Sequence, residues 1–245
     1  QLQKILEKQG LKFRFSTTAQ SAAIENGKVK IAWSSGDQNG VEEVDKVLVC
    51  VGRRPVTDGL GLAELGVEQD KRGFIKVDGH FATNVKGIYA IGDVIGGLML
   101  AHKAEEEGAA LAELLAGKAG HVNYKACPGV VYTHPELATV GLTEEEAAAR
   151  GAIKVGRFPF LANGRAKAMD ATEGLVKVIA DARTDRVLGV HILGAHASDV
   201  IAEAVLAVEF AASSEDIARA FHGHPTMSEA LKEAAMAVEK RAIHM

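Results

Sequence analysis

The sequence predicts a mixed chain, α/β in its first half and α+β in its second, and three observations lead there. An apolar run with the character of a buried strand, Val47-Leu48-Val49-Cys50-Val51, follows a helix-like opening and a hairpin signal. Farther on, Ile88-Tyr89-Ala90-Ile91-Gly92-Asp93 passes from apolar extended chain through a glycine-bounded turn toward a long amphipathic helix. From about Asn123 the pattern becomes a set of short strands followed by helices.

Residues 1–9 read as a helix, with Leu2, Ile5 and Leu6 on one face and Gly10 as a left-handed stop. Residues 22–25 and 28–33 flank Asn26-Gly27, the dipeptide best suited to a two-residue hairpin. The polar stretch 34–40 turns the chain into an expected strand over 44–51. Helix, meander and buried strand together suggest the tail of an α/β nucleotide-binding domain. Pro55, Gly59 and Gly61 mark a linker. Strands are expected at 74–77 and 87–91, then a helix over 100–115 with Gly117 as its stop. The later strands fall at 130–132, 139–141, 154–160, 175–180 and 187–193. Thr143-x-x-Glu146 is a capping-box signature that opens a short helix ending at Gly151. Helices are expected at 199–211, 215–220 and 225–241. Along the first of these, Val200, Ala204, Ala207 and Val208 suit a subunit contact or the chain's own core equally well.

The composition limits the function. Hydrophobic residues make up 47% and charged residues 24%, ordinary values for a globular protein that forms real cores. The net charge of −4 leaves no basic footprint for nucleic acid. No apolar run reaches the length of a membrane span, since the best candidate is interrupted by Glu203 and Glu209. The two cysteines, Cys50 and Cys127, are far apart, which excludes a disulfide framework and a zinc-ligand spacing and suits a reducing, cytoplasmic compartment. No metal site is expected. Gln1 runs straight into helix-like sequence, so the chain is expected to be the later portion of a longer protein.

Two places could carry chemistry. At the first, Gly92 ends an apolar strand and Asp93 presents a carboxylate that could accept hydrogen bonds from sugar-like hydroxyls. Gly96-Gly97-Leu98-Met99-Leu100-Ala101-His102-Lys103 then enters a helix whose free N–H groups could hold partial negative charge, such as a flavin carbonyl gains on reduction. A turn with a solvated Asp and a water-satisfied helix start accounts for the same residues. At the second, His224-Pro225-Thr226-Met227-Ser228-Glu229 places a histidine at a helix entrance with a carboxylate about one turn inside. That carboxylate could hold one ring nitrogen and leave the other as a base. Thr226-x-x-Glu229 also has capping-box spacing, and spacing alone favours that simpler use.

The chain resembles the dihydrolipoamide dehydrogenases, within the pyridine nucleotide-disulfide oxidoreductases, colinearly over its whole length. The resemblance rests on Gly52-Arg53-Arg54-Pro55, Tyr89-Ala90-Ile91-Gly92-Asp93-Val94, Met99-Leu100-Ala101-His102-Lys103-Ala104-Glu105 and His224-Pro225-Thr226-x-Ser228-Glu229. It implies that Gly52 and Asp93 help hold FAD, Asp93 at the ribityl chain, with Met99, Leu100, Ala101 and His102 along the isoalloxazine. It also implies that His224 is the catalytic base toward the partner subunit's redox disulfide and that Glu229 orients it. His222 has no counterpart in the motif. Tyr132-Thr133-His134-Pro135-Glu136 resembles a family segment as well, with no catalytic role expected for His134. Asn163-Gly164-Arg165-Ala166-Lys167 matches a family loop whose basic charge suits a solvated surface.

The division implied is a remnant of a Rossmann-like NAD domain (1–52), a central flavin-contacting domain (53–122) and an α+β dimerisation domain (123–245). The activity implied is oxidation of protein-bound dihydrolipoamide with NAD⁺. The partners implied are a second copy of the chain, and the acyltransferase core and lipoyl domains of 2-oxoacid dehydrogenase complexes. The chain departs from the family in having no Gly-x-Gly-x-x-Gly; Gly59-Leu60-Gly61 has Glu64 where a third glycine belongs. It also has no close cysteine pair. Tight binding of FAD and NAD, and the redox disulfide, are therefore expected to depend on sequence before Gln1, and this stretch alone is expected to be inactive. Mercuric reductases carry a C-terminal cysteine pair that this tail lacks, and glutathione reductases usually lack the Ala-His-Lys-Ala-Glu stretch. A non-catalytic dimerising or partner-binding module is the alternative from another class.

Overall fold

The computed structural model describes all residues, 1–245. Its first part is helix α1 (Leu2–Lys8) and an antiparallel meander of β1 (Thr18–Glu25), β2 (Lys28–Ser35) and β3 (Gln38–Val44). Asn26 and Gly27 join β1 to β2 with φ of 51° and 76°, the paired positive values that a two-residue turn needs to match strand twist. On β2 and β3 Trp33 pairs with Gly40, and the Arg14 guanidinium lies 4.4 Å from the Trp33 ring centroid.

The expected strand over 44–51 does not form. The third strand comes earlier, starting within the stretch expected to turn and ending at Val44, and the apolar run beyond it is irregular, with Leu48 85% and Val51 94% exposed. A strand buried on both faces needs paired strands at its edges and packed layers over its faces, and no strand of this chain lies beside that run.

The middle of the chain holds α2 (Leu62–Leu65), a 3₁₀ turn at Gly92–Ile95 and the long helix α3 (Ala101–Leu115). The strands expected at 74–77 and 87–91 are only the single bridges Gln69–Ile75 and Ala82–Tyr89. Around the first of these, and around the partner segment of the second, aspartate side chains take backbone donors. Asp70 accepts from the N–H groups of Arg72 and Phe74, and Asp78 from those of His80 and Ala82, so these backbone donors close local turns instead of a ladder. Helix α3 ends as expected. Gly117 is left-handed at φ 75°, Lys118 N–H donates to Glu113 O and Gly117 N–H to Leu114 O.

The last part is a five-stranded antiparallel sheet of order β4 (Gly129–Val131), β5 (Glu136–Gly141), β8 (Val187–Gly194), β7 (Leu175–Asp181), β6 (Ile153–Pro159). Helices α4 (Glu144–Ala148) and α5 (Gly164–Ala168) lie in its connections, and α6 (Ala197–Glu209), α7 (Ser214–Arg219) and α8 (Glu229–Val238) follow. The Thr143–Glu146 capping box forms in full at the start of α4. Helix α6 packs on β5 and β8, α8 on β6 and β7, and α7 on α8. Val200, Ala204, Ala207 and Val208 are buried in this core with Phe158, Val178, Ile192 and Leu231, so they serve the chain's own packing. Gly156 permits the closest approach of helix to sheet, because a Cβ there would stand 2.0 Å from Ala234 O. No helix is long and apolar enough to cross a membrane.

Two local expectations fail here. Residues 163–167 are largely the short helix α5 and not a loop, with Asn163, only 4% exposed, as its N-cap, although Arg165 and Lys167 are exposed as expected. The last helix starts at Glu229, not Pro225. Thr226 sends its hydroxyl back to Gly223 O and its N–H to Glu229 Oε2, so residues 225–228 close a side-chain-bonded turn before the helix begins.

Candidate functional site

His224 stands on that turn. Its Nδ1 meets Glu229 Oε1 at 2.9 Å, while Glu229 Oε2 accepts from Thr226 N–H at 2.8 Å. Each oxygen of one carboxylate therefore has a task, one orienting the ring and one closing the loop. This is half of a capping box, since the Thr226 hydroxyl does not return to Glu229 N–H; it bonds Gly223 O and Ser228 Oγ. The His224 side chain is 77% exposed, and its Nε2 has no partner in the chain. Burial pushes the Glu229 carboxyl up, but the Thr226 N–H and His224 hydrogen bonds outweigh it and hold the group below the ordinary carboxylate value. A carboxylate that stays charged beside Nδ1 fixes the tautomer and leaves Nε2 aimed at solvent as a proton acceptor.

His222, two residues away, is built differently. Its Nδ1 meets Ala220 O at 3.1 Å and its Nε2 meets Glu203 Oε1 at 2.9 Å, and the side chain is only 5% exposed. Both ring nitrogens are occupied, which suits a structural tie between α6 and the loop rather than a base.

The other group gathers around Asp93. Gly92 takes φ 75°, and a Cβ there would sit 3.2 Å from Ala104 Cβ, so the turn lies close on α3. Arg53, next to Gly52, donates through Nε and a terminal nitrogen to Asp93 Oδ2 at 3.0 and 2.6 Å, leaving Oδ1 without a partner. Met99 and Leu100 are half-buried and Ala101 opens α3, whose N-terminus no side chain caps. The His102 ring is tied by Nε2 to Pro128 O at 2.9 Å. A free carboxylate oxygen beside an uncapped helix start fits a flavin: its hydroxyls could donate to Asp93 and an electron-rich carbonyl could meet the helix N–H groups. For a nicotinamide dinucleotide the fit fails. Gly61 merely precedes the four-residue α2, and no glycine turn leads from a strand into a helix able to cradle phosphates.

Beneath this turn lies a buried cluster that sequence reasoning missed. Lys103 Nζ donates to Gly92 O at 3.1 Å and Gly96 O at 2.9 Å and pairs with Glu107 at 3.0 Å. Glu107 accepts from Gly92 N–H at 2.6 Å and from Tyr124 OH at 2.7 Å. Burial first, and then the Glu107 hydrogen bond, push the Tyr124 phenol well above its ordinary value. The only signal in the sequence was an i, i+4 Lys–Glu pair, which usually means a solvated helix face. No hydrogen bond links the Asp93 group to the His224 group.

Comparison with known proteins now adds to the geometry. A model of the pyridine nucleotide-disulphide oxidoreductases matches residues 1–108, and a model of their dimerisation domain matches residues 127–235. The chain is 55% identical over 248 residues to dihydrolipoyl dehydrogenase 1, mitochondrial, of Arabidopsis thaliana, covering 100% of this chain and 49% of that protein. It is 52% identical to a dihydrolipoyl dehydrogenase of Cupriavidus necator, covering 99% of this chain and 52% of that protein. Among solved structures, LpdA of Mycobacterium tuberculosis superposes with a TM-score of 0.88 at 26% identity, over 96% of this chain and 51% of that one. The chain thus spans about half the length of the curated relatives it matches.

Proposed function

Because the chain belongs to the pyridine nucleotide-disulphide oxidoreductase family, we propose that the whole protein is a dihydrolipoyl dehydrogenase, oxidising a dihydrolipoyl dithiol with NAD⁺ as the final acceptor. Identities of 52–55% to dihydrolipoyl dehydrogenases over essentially the full chain support that branch above the mercuric- and glutathione-type alternatives. Overall, the dithiol loses two electrons and two protons, NAD⁺ takes a hydride, and one proton is released. FAD, when bound, supplies the two-electron relay between thiols and nicotinamide. The residues proposed to hold it are Gly52, Asp93, Met99, Leu100, Ala101 and His102, with Arg53 steadying Asp93. His224 Nε2 accepts the thiol proton, and Glu229 holds Nδ1 and balances the charge that forms on the ring. Cys50 and Cys127 are free and unpaired, so the disulfide that exchanges with the substrate belongs to another part of the whole protein.

The parts assigned are an NAD-domain remnant (1–52), a central flavin-contacting part (53–122) and a dimerisation part (123–245); the two sheets and the sheetless stretch between them support this division. The dimerisation-domain match supports a homodimer, and exposed Leu206, Phe210 and Phe221 are apolar surface available for such a contact. Lipoyl domains and the acyltransferase core of a 2-oxoacid dehydrogenase complex are the proposed partners. The expectation of a cytoplasmic location gains no support from the relatives, which include a mitochondrial protein and a bacterial one.

The observation that carries the reading is the exposed His224 ring, held at Nδ1 by Glu229 and free at Nε2. In the flavin-loaded whole enzyme, His224→Gln should cut dithiol-driven NAD⁺ reduction by about 10²–10⁴-fold without loss of flavin. His222→Gln should instead lower the unfolding temperature, because it disturbs a buried pair, and leave turnover close to wild type. Equal turnover in the two variants would remove His224 from the proposed role.

A further inference from the structure

The His224 turn is held from outside by a residue 63 positions earlier in the chain. Asn163 Nδ2 donates to Thr226 O at 3.1 Å, and Asn163 Oδ1 accepts from Ala166 N–H at 2.9 Å. Its backbone is engaged as well, N–H to Phe160 O at 2.9 Å and O from Lys167 N–H at 3.1 Å. The neighbours fix the amide's orientation, because a backbone N–H must face the oxygen and a carbonyl must face the nitrogen. Asn163 is only 4% exposed, and two of its bonding partners, Phe160 and Ala166, belong to the main core, so it is anchored at that core.

Thr226 is the residue on whose backbone the candidate pair depends. Its N–H is taken by Glu229 Oε2, and the other oxygen of the same carboxylate takes His224 Nδ1. The Thr226 carbonyl has Asn163 as its side-chain donor. We infer that Asn163 is a positioning residue for the His224–Glu229 pair, a buried brace that fixes the Thr226 backbone through its carbonyl and thereby the N–H, on the adjoining peptide, that holds the carboxylate orienting the imidazole. The inference rests on the reading of His224 as the base. Asparagine suits the post because one end must accept at the start of α5 while the other donates across to the loop. Aspartate can cap α5 but cannot donate to Thr226, and serine caps without the reach.

The experiment compares Asn163→Asp, Asn163→Ser, Ala166→Gly and His224→Gln in the flavin-loaded whole enzyme. The readouts are kcat and KM for the dithiol, flavin content, and amide exchange at Thr226 and within α5. Asn163→Asp and Asn163→Ser should raise exchange at Thr226 by about tenfold or more while α5 keeps its cap. They should lower kcat roughly ten- to a hundredfold, as a base displaced by a fraction of an ångström does. Flavin content and dithiol KM should stay within about twofold. Ala166→Gly, which loosens α5 with the Asn163 amide in place, should raise exchange in α5 and spare both Thr226 and kcat. Two serviceable outcomes overturn the brace: Asn163→Ser with wild-type exchange at Thr226, or Ala166→Gly as damaging to kcat as Asn163→Ser. The serine variant buries no charge, so a misfolded aspartate variant leaves the comparison intact. If His224→Gln proves silent, the reading of the base fails, and exchange at Thr226 alone then judges the brace.

Discussion

Replacing Lys103 should be among the most damaging single changes in the chain, and removing its partner as well should not repair it. Glu107 is fully buried, and the Lys103 ammonium donates to Gly92 O and Gly96 O and forms an ion pair with Glu107. Lys103→Met leaves an anion in the interior without its cation, a change that costs about 3–5 kcal/mol in comparable sites. For a bare buried ion pair, substituting both members with apolar residues is often neutral or stabilising. Here the pair also serves the backbone. Lys103→Met with Glu107→Leu strands Gly92 N–H, Gly92 O and Gly96 O, at about 1–3 kcal/mol each, while Tyr124 OH can turn to water. The double variant should therefore remain at least about 3 kcal/mol below wild type. Denaturant unfolding of the two single variants and the double variant measures this, with amide exchange at Gly92 assigning the loss to the loop. A double variant as stable as wild type would show that the pair has no duty toward the turn presenting Asp93.

Two further outcomes follow from the packing and the titrating groups. Gly156→Ala drives a methyl against the α8 backbone and should cost about 1–3 kcal/mol or more in thermal unfolding, whereas Gly151→Ala, where a Cβ meets nothing within 4 Å, should stay within about 0.5 kcal/mol of wild type. The Tyr124 phenol is held above its ordinary value of 10.0 in the folded chain, so its stabilising contribution is fully present below pH 10 and is lost as pH rises through the raised value. The stability gap between wild type and Tyr124→Phe, followed by unfolding from about pH 8 to about pH 11, should narrow at the alkaline end; a constant gap would refute the assignment.

What could be read in the sequence was local. Asn26-Gly27, the Thr143–Glu146 box and the Gly117 stop each specify geometry within a few residues, and each appears as expected. The strands of the five-stranded sheet were readable because their short, apolar and β-branched runs mark buried extended chain. The mixed fold class and the family follow from those elements and from motifs of a few residues. The expected strands at 74–77 and 87–91 are reduced to single bridges; at 74–77 the Asp70 side chain takes the Phe74 N–H, a local competition that periodicity does not register, and at 87–91 Ile88 N–H closes a turn onto Val85 O. The run at 47–51 failed because hydrophobic content specifies a need for partners without supplying them.

The candidate sites divide along the same line, and the division explains which residues were missed. His224 and Glu229 lie five positions apart, so a motif could hold both, and the structure joins them at 2.9 Å. Asn163 and Thr226 are joined across 63 positions, and Tyr124 reaches Glu107 across 17. Nothing at position 163 distinguishes a surface cap from a buried brace until its burial and its bond to Thr226 O are seen. Charged residues mislead most in this respect. Lys103 and Glu107 sit at the spacing of a solvated pair, yet they are buried because Gly92 and Gly96 bring two carbonyls and an N–H onto the face of α3. The glycines that look like punctuation in the sequence are what turn that helical face into an interior, and a substitution at Gly92 acts on Lys103 as directly as on the turn itself.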